Sequence, residues 1–209
     1  MAVTDYLNLN EIQLDALGEI GNIGSGNAAT ALATMLGLSV DIEVPKVEIL
    51  SFDDCMSLLG GPEEIVSAVL VTLSQDVTGM MLFIQHEDFL NSMLEAMVGT
   101  GISSFEDIDE MGVSAIMEMG NIMLSSYVNA VGQMTGLTIE ISVPSHTINM
   151  AGGVLSVPAV QMAEETDYLL LIHGNFVIAD RKVQSNIFMV PDMESLNKVL
   201  DNLGVNFDE

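Results

Sequence analysis

Two sets of polar residues recur along the chain with the same spacing. Each set has an aspartate or serine, then a glutamate, then an asparagine, and after a longer interval a proline. The first motif is Asp15, Glu19, Asn22 and Pro45, and the second motif is Ser114, Glu118, Asn121 and Pro144. Because residues four and seven positions apart share one face of a helix, the first three members of each motif predict a polar stripe.

The side chains of the stripe favour positioning over covalent chemistry. A glutamate can pair with a lysine of a partner, and an asparagine amide has both a donor and an acceptor with which to orient a water molecule. Neither group is a convincing nucleophile. Phosphoryl hydrolysis asks little of a protein beyond an oriented water and stabilised charge. Each motif therefore predicts a site that positions water for a phosphoryl group carried by another molecule.

Four glycines lie between and just after the helical residues of the first motif. They are Gly18, Gly21, Gly24 and Gly26. Each costs a helix about 1 kcal/mol relative to alanine, so close packing must offset the cost. Gly26 falls on the polar face and corresponds to Ser125 in the second copy, which predicts room for another backbone there. The second copy keeps only Gly120 of the four, so some of the first helix's glycines are expected to pack against a sheet.

Both motifs lie in an internal duplication. Residues 16–45 align without a gap on residues 115–144, and twelve of the thirty positions are identical. Such self-similarity sets the architecture of a chain. It predicts one domain over residues 1–209 made of two repeats, the first over 10–99 and the second over 109–204, with 100–109 as a short connection.

The order of predicted elements is the same in both repeats. Asn10 can cap the first helix with Gln13 reaching back to it, and Gly37 ends it. Strands are predicted over 38–50, 65–73 and 79–85, with a short helix over 53–59 and a closing helix over 87–97. In the second repeat a helix over 109–135 precedes strands over 137–148, 168–178 and 186–190 and a helix over 193–203. This order predicts a two-layer α+β fold with antiparallel sheet and a pseudo-twofold axis.

Composition narrows the classes of partner. Thirty acidic residues against four basic ones give a formal net charge of −26, which repels nucleic acid and anionic lipid. The uncharged stretches 20–40 and 119–139 reach membrane-spanning length but contain many polar residues, and no secretory signal is visible at the N-terminus. A lone cysteine excludes an internal disulfide. We expect a cytoplasmic protein whose partners are proteins or small molecules.

Other chemistry receives less support. His86, His146 and His173 have no metal-ligand spacing, so no metal site is predicted. The stretch 21–26 lacks the lysine and the preceding strand of a phosphate-binding loop. Cys55 has no basic neighbour in sequence to lower its pKa. Pro45 and Pro144 have two open interpretations, since a proline without an amide donor either limits an edge strand or shapes the site.

The doubled motif resembles the signature of the CheC, CheX and FliY family of chemotaxis phosphatases. That signature is an Asp or Ser, three residues, Glu, two residues, Asn, and Pro after twenty-two more, and this chain satisfies it twice. The resemblance is nearest to the CheC branch and extends over almost the entire chain. It implies hydrolysis of the aspartyl-phosphate of a CheY-type response regulator.

The resemblance also implies a role for each motif residue. Glu19 and Glu118 would pair with the receiver's active-site lysine, while Asn22 and Asn121 would enter its pocket and orient the attacking water. Asp15 and Ser114 would lie at the rim, and Pro45 and Pro144 would shape the flanking strand. The chain would need no cofactor of its own, because Mg²⁺ is expected in the receiver.

Two alternatives stay open at this point. The family commonly binds the receptor deamidase CheD, so the chain could act mainly as a catalytically weak adaptor for CheD. A flagellar switch role like that of FliY ranks last, because such proteins carry a further C-terminal domain whereas this chain ends at Glu209.

Overall fold

Helices and strands follow one another in the same order twice. The structure, a computed structural model, describes residues 3–163, 166–178 and 181–205. The helices are α1 (Glu11–Leu36), α2 (Phe52–Leu58), α3 (Glu87–Val98), α4 (Glu110–Thr135), α5 (Ala151–Met162) and α6 (Met193–Asn202). The strands are β1 (Val40–Ile42), β2 (Lys46–Ser51), β3 (Ile65–Gln75), β4 (Gly79–Gln85), β5 (Ile139–Ile141), β6 (Ser145–Met150), β7 (Tyr168–Ile178) and β8 (Arg181–Pro191).

The two motif-bearing helices, α1 and α4, begin and end at residues that sequence alone identifies. Asn10 and Gln13 form the capping box at the start of α1, and the Asp109 side chain accepts a backbone N–H at the start of α4. Gly37 and Gly136 end the two helices in the left-handed conformation, with φ of 64° and 72°. The predicted positions of both helices are confirmed.

The strands form one antiparallel sheet in which the repeats exchange strands. The order is β1-β7-β8-β4-β3-β5, with β2 also paired to β7 and β6 also paired to β3. Strands β1 and β2 of the first repeat thus pair with β7 of the second, while β5 and β6 of the second pair with β3 of the first. The predicted α+β class with antiparallel sheet is confirmed.

The register of this exchange follows the pseudo-twofold relation. Lys46 pairs with His173, and the counterpart of Lys46, Ser145, pairs with Leu70. The two halves meet where β4 pairs with β8 at the centre of the sheet. The pairing is therefore reciprocal, and each repeat supplies an edge to the other.

The core lies between the sheet and the helices over its face. Leu17 of α1 and Val128 of α4 line an apolar cluster with Met81 of β4. Phe83, two residues along the same strand and so on the same face, contacts Phe89 of α3 edge to face at 5.4 Å between ring centroids. The shorter helices α2 and α5 pack against each other and against the edge strands and their neighbours.

Four elements differ from the predicted ones. The single strands predicted over 38–50 and 137–148 are each divided in two, at residues 43–45 and 142–144. Helix α5 was not predicted, because its two glycines and Pro158 are typical of a loop. It is anchored by backbone bonds, with Ala151 N–H donating to the carbonyl of Glu64. Strand β8 begins earlier than the predicted residue 186, since its polar first half pairs with β7.

The uncharged stretches considered as membrane spans fall mainly within α1 and α4. These helices bury one side against the sheet and against each other. In the ranges that the structure describes, no helix combines the length and the apolar character needed to cross a bilayer.

Helices α1 and α4 touch at Gly24. A Cβ on Gly24 would lie 2.5 Å from Cδ1 of Tyr127 and 3.0 Å from its Cα. Burial raises the pKa of Tyr127. By contrast, a Cβ on Gly18 would meet no atom within 4 Å. One glycine is therefore required by packing and the other is not.

This contrast predicts opposite effects of two alanine substitutions in one helix. Gly24→Ala should lower the free energy of unfolding by about 1–3 kcal/mol, because Tyr127 must move. Gly18→Ala should raise it by about 0.5–1 kcal/mol, because alanine is the better helix former. Urea unfolding of both variants measures this difference, and equal effects would contradict the packing at Gly24.

Candidate functional site

The first motif is exposed on one face of α1, as predicted. The side chains of Asp15, Glu19 and Asn22 all reach solvent. The Asn22 amide Nδ2 donates to Glu19 Oε2 at 3.4 Å, so the acid and the amide are direct neighbours. A partner that engages one of them also meets the other.

The second motif repeats this exposure on α4 with one difference. Ser114, Glu118 and Asn121 also reach solvent. Among the residues that the structure describes, the side chain of Asn121 makes no hydrogen bond, so its donor and acceptor are both available to water or to a partner. The two sites are therefore similar in placement and unequal in detail.

A glycine beside each asparagine holds the helix close to the sheet. A Cβ on Gly21 would lie 3.1 Å from Cγ2 of Val47 and 3.4 Å from Cγ2 of Ile172, and one on Gly120 would lie 2.6 Å from Cγ1 of Val69. These glycines lie on the buried side of their helices, and Asn22 and Asn121, each one position further on, are exposed. The predicted packing of some glycines against the sheet is confirmed.

Each motif proline lies at the break between two edge-strand segments. Pro45 separates β1 from β2, and Pro144 separates β5 from β6. Pro45 Cγ is 3.8 Å from the Cβ position of Gly21, which places the proline against the turn of α1 that carries Asn22. The position of the proline therefore fits both interpretations, because the proline interrupts an edge strand and also lies near the site.

The charges around the motifs are acidic. In the described ranges, Lys182 pairs with Glu43 at 2.8 Å and Lys198 pairs with Asp76 at 3.1 Å. The hydrogen bond from Lys182 lowers the pKa of Glu43. No salt bridge within the described part of the chain involves Glu19 or Glu118. These two glutamates are therefore available to a cation from outside.

A polar cluster distinguishes the second site from the first. His146 Nε2 lies 2.9 Å from Ser67 Oγ, and Ser67 donates to Gln85 Oε1 at 2.9 Å. The Ser67 hydroxyl already donates to Gln85, which assigns the donor of the first bond to His146. His146 pairs in register with Val69, the residue against Gly120. Burial lowers the pKa of His146.

Sequence analysis considered His146 only as a candidate metal ligand and did not predict this cluster. Its counterpart in the first repeat is Val47, so the duplication gives no signal for it. Elsewhere, burial raises the pKa of Cys55 to about 12, which keeps that thiol protonated. Within the described residues no group of three His, Cys, Asp or Glu side chains could hold a metal ion.

Comparison with known proteins agrees with the doubled site. The model of the CheC-like family matches residues 12–49 and 111–148, and each match contains one whole motif. The CheY-P phosphatase CheC of Bacillus subtilis (strain 168) is 31% identical over 205 residues, which cover 96% of this chain and 98% of that protein. This chain belongs to the CheC-like family.

Some flagellar proteins are also similar to this chain. The flagellar motor switch phosphatase FliY of Bacillus subtilis (strain 168) is 31% identical over 66% of this chain and 36% of that protein. The crystal structure of Thermotoga maritima FliY matches with a TM-score of 0.75 at 24% identity, over 94% of this chain and 98% of that one. The FliM middle domain from H. pylori matches with a TM-score of 0.69 at 11% identity, over 93% and 99%. These structures show the same fold.

The lowered pKa of His146 predicts a pH-dependent part of the stability. The unfolded chain takes up a proton near the ordinary histidine pKa of 6.5, whereas the folded chain resists it. Stability from this group is therefore present above 6.5 and is lost as the pH falls towards the folded pKa. Between about pH 7.5 and about pH 5.5, the free energy of unfolding should fall more in the wild type than in His146→Gln. An equal fall in urea titrations of both proteins would contradict the assignment.

Proposed function

We propose that this chain is a phosphatase that hydrolyses the aspartyl-phosphate of a CheY-type response regulator. The observation that carries the proposal is the outward projection of Asn22 and Asn121, each three residues after an exposed glutamate. It is supported by two relatives, the CheY-P phosphatase CheC and the flagellar motor switch phosphatase FliY of Bacillus subtilis.

The proposed reaction is an in-line displacement at phosphorus. The asparagine amide accepts a hydrogen bond from the attacking water or donates one to its oxygen, which fixes the direction of attack. A bond forms between the water oxygen and phosphorus, the bond to the receiver's carboxylate oxygen breaks, and the water proton passes to solvent. Aspartate and inorganic phosphate result. Mg²⁺, expected in the receiver, supplies charge neutralisation there.

The glutamate of each motif supplies an anchor for the partner. Neither Glu19 nor Glu118 takes part in a salt bridge within the described ranges, so each carboxylate can pair with a lysine of the receiver. At the first site, engagement of Glu19 also competes with the hydrogen bond that Asn22 gives it at 3.4 Å. Docking would thereby release the amide for water. Asp15 and Ser114 contribute the rim of each site.

The two sites are both proposed to act, with unequal strength. Asp15 is replaced by Ser114, the Asn22 amide is tied to Glu19 whereas Asn121 is not, and the cluster around His146 flanks the second site alone. Binding of CheD and action in the cytoplasm remain predictions from the family resemblance.

Substitution of the asparagines tests the reaction. Asn22→Ala and Asn121→Ala should each reduce the rate at which the chain accelerates decay of the phosphorylated receiver, and the double variant should lose about 100-fold, since water is no longer positioned. Asn129→Ala, an exposed asparagine of α4 outside the motif, is the matched control and should keep the wild-type rate. The measurement is release of inorganic phosphate from a CheY-type receiver.

Two outcomes would contradict parts of the proposal. A complete loss from one single variant would exclude two acting sites. A wild-type chain that binds the receiver without accelerating its decay would exclude the phosphatase and favour the adaptor.

A further inference from the structure

Large apolar side chains are exposed at equivalent positions beside both motifs. Val44 is 79% exposed and its counterpart Val143 is 86% exposed. Ile12 is 58% exposed and its counterpart Met111 is 65% exposed. We name Ile12 and Val44 the apolar flanks of the first motif, and Met111 and Val143 those of the second. Both repeats therefore have apolar residues at these two positions.

The flanks lie on either side of the polar stripe. Ile12 is one helical turn before Asp15 on α1, and the rise of a helix puts about 15 Å between Ile12 and Asn22. Val44 directly precedes Pro45, which packs beside Gly21 and hence beside the turn that carries Asn22. The stripe together with its flanks is a strip of surface with polar groups in the middle and apolar groups at both ends.

This arrangement does not serve the fold. Side chains that keep 58–86% of their surface in water contribute little burial to the core. An exposed valine contrasts with the acidic surface of a chain whose formal charge is −26, and it occurs at the equivalent position in both repeats. Apolar residues grouped with a few polar ones are typical of the contact area of a protein partner.

We propose that the apolar flanks are the anchors by which each site holds a folded, phosphorylated receiver domain, an inference that rests on the proposed function. A specific complex buries about 800 Å² on each partner, more than a glutamate and an asparagine can supply. The flanks provide the missing apolar contact. They also set the direction of approach, because they lie at different ends of the stripe.

Charge selects this occupant over a second copy of the chain. The acidic residues of the strip include Glu11, Asp15 and Glu19 on α1, with Glu110 and Glu118 at the corresponding places on α4. Pairing two such strips would set acid against acid. A receiver that offers a lysine to each glutamate brings the complementary charge. The same partner would fit both sites, because both carry the same flanks.

The anchors touch the partner away from the reacting phosphorus, so they should contribute equally to the bound ground state and the transition state. Loss of such contacts raises KM and leaves kcat unchanged. In the Asn121→Ala background, which retains the first site, Val44→Ser should raise KM for the phosphorylated receiver about tenfold. In the Asn22→Ala background, Val143→Ser should do the same.

Val160→Ser is the matched control. Val160 of α5 is 79% exposed, as Val44 is, but lies outside both strips, so its substitution should leave KM unchanged. Affinity for the receiver held in its activated form by beryllofluoride provides a readout that needs no hydrolysis. Urea unfolding of all variants checks that the exposed substitutions leave stability intact.

The outcomes separate this inference from the proposed function. If the wild type accelerates phosphate release while Val44→Ser keeps the KM of its Asn121→Ala parent and Val143→Ser keeps that of its Asn22→Ala parent, the anchors are refuted and the phosphatase stands. If the wild type binds the beryllofluoride form without accelerating hydrolysis, and a variant carrying both Val44→Ser and Val143→Ser binds it about tenfold more weakly, the anchors stand and the phosphatase is refuted. An effect of equal size in Val160→Ser, an effect on kcat alone, self-association through the strip, or no binding at all would each overturn the anchors.

Discussion

The close approach of each motif helix to the sheet is the contact on which the rest of the arrangement depends. Gly21 and Gly120 let the helix backbone lie against Val47 and Val69, where a Cβ on Gly120 would clash with Val69 and one on Gly21 would make a tight contact with Val47. The inner face is thereby fixed at that distance, Asn22 and Asn121 lie on the exposed side of their helices, and Pro45 lies beside the turn that carries Asn22. Glycine therefore has a positional purpose here that outweighs its cost to the helix.

Because the repeats exchange strands, the two sites share one sheet. The strand that follows each motif helix pairs with a strand of the opposite repeat, so each motif helix is followed by an edge that both repeats build. Contact between α1 and α4 at Gly24 and Tyr127 adds a second link. The similar exposure of the two motifs thus follows from shared scaffolding as well as from shared sequence.

Much of the fold and of the candidate site could be predicted from sequence, because those features carry local signals. Capping residues and left-handed glycines mark α1 and α4, and the spacing of the motif places its side chains on one face. The duplication then supplies the symmetry.

The rest depends on contacts made far along the chain. Helix α5 has the composition of a loop and is held by backbone bonds to residues 62–64. The cluster of His146, Ser67 and Gln85 joins residues from three strands. In the described ranges the first repeat has no such cluster, so the duplication could not reveal it through recurrence. The exposure of Val44 and Val143 likewise appears only once the strand is seen to break at the proline.

The reciprocal pairing of the repeats also has a consequence for biosynthesis. Strand β2 ends at Ser51, but its partner β7 begins only at Tyr168. When the first repeat leaves the ribosome, one edge of its sheet therefore has no strand to pair with. Contacts this distant in sequence slow folding and expose apolar strands meanwhile. The strand pairing of the amino-terminal half therefore cannot be completed until most of the protein has been translated.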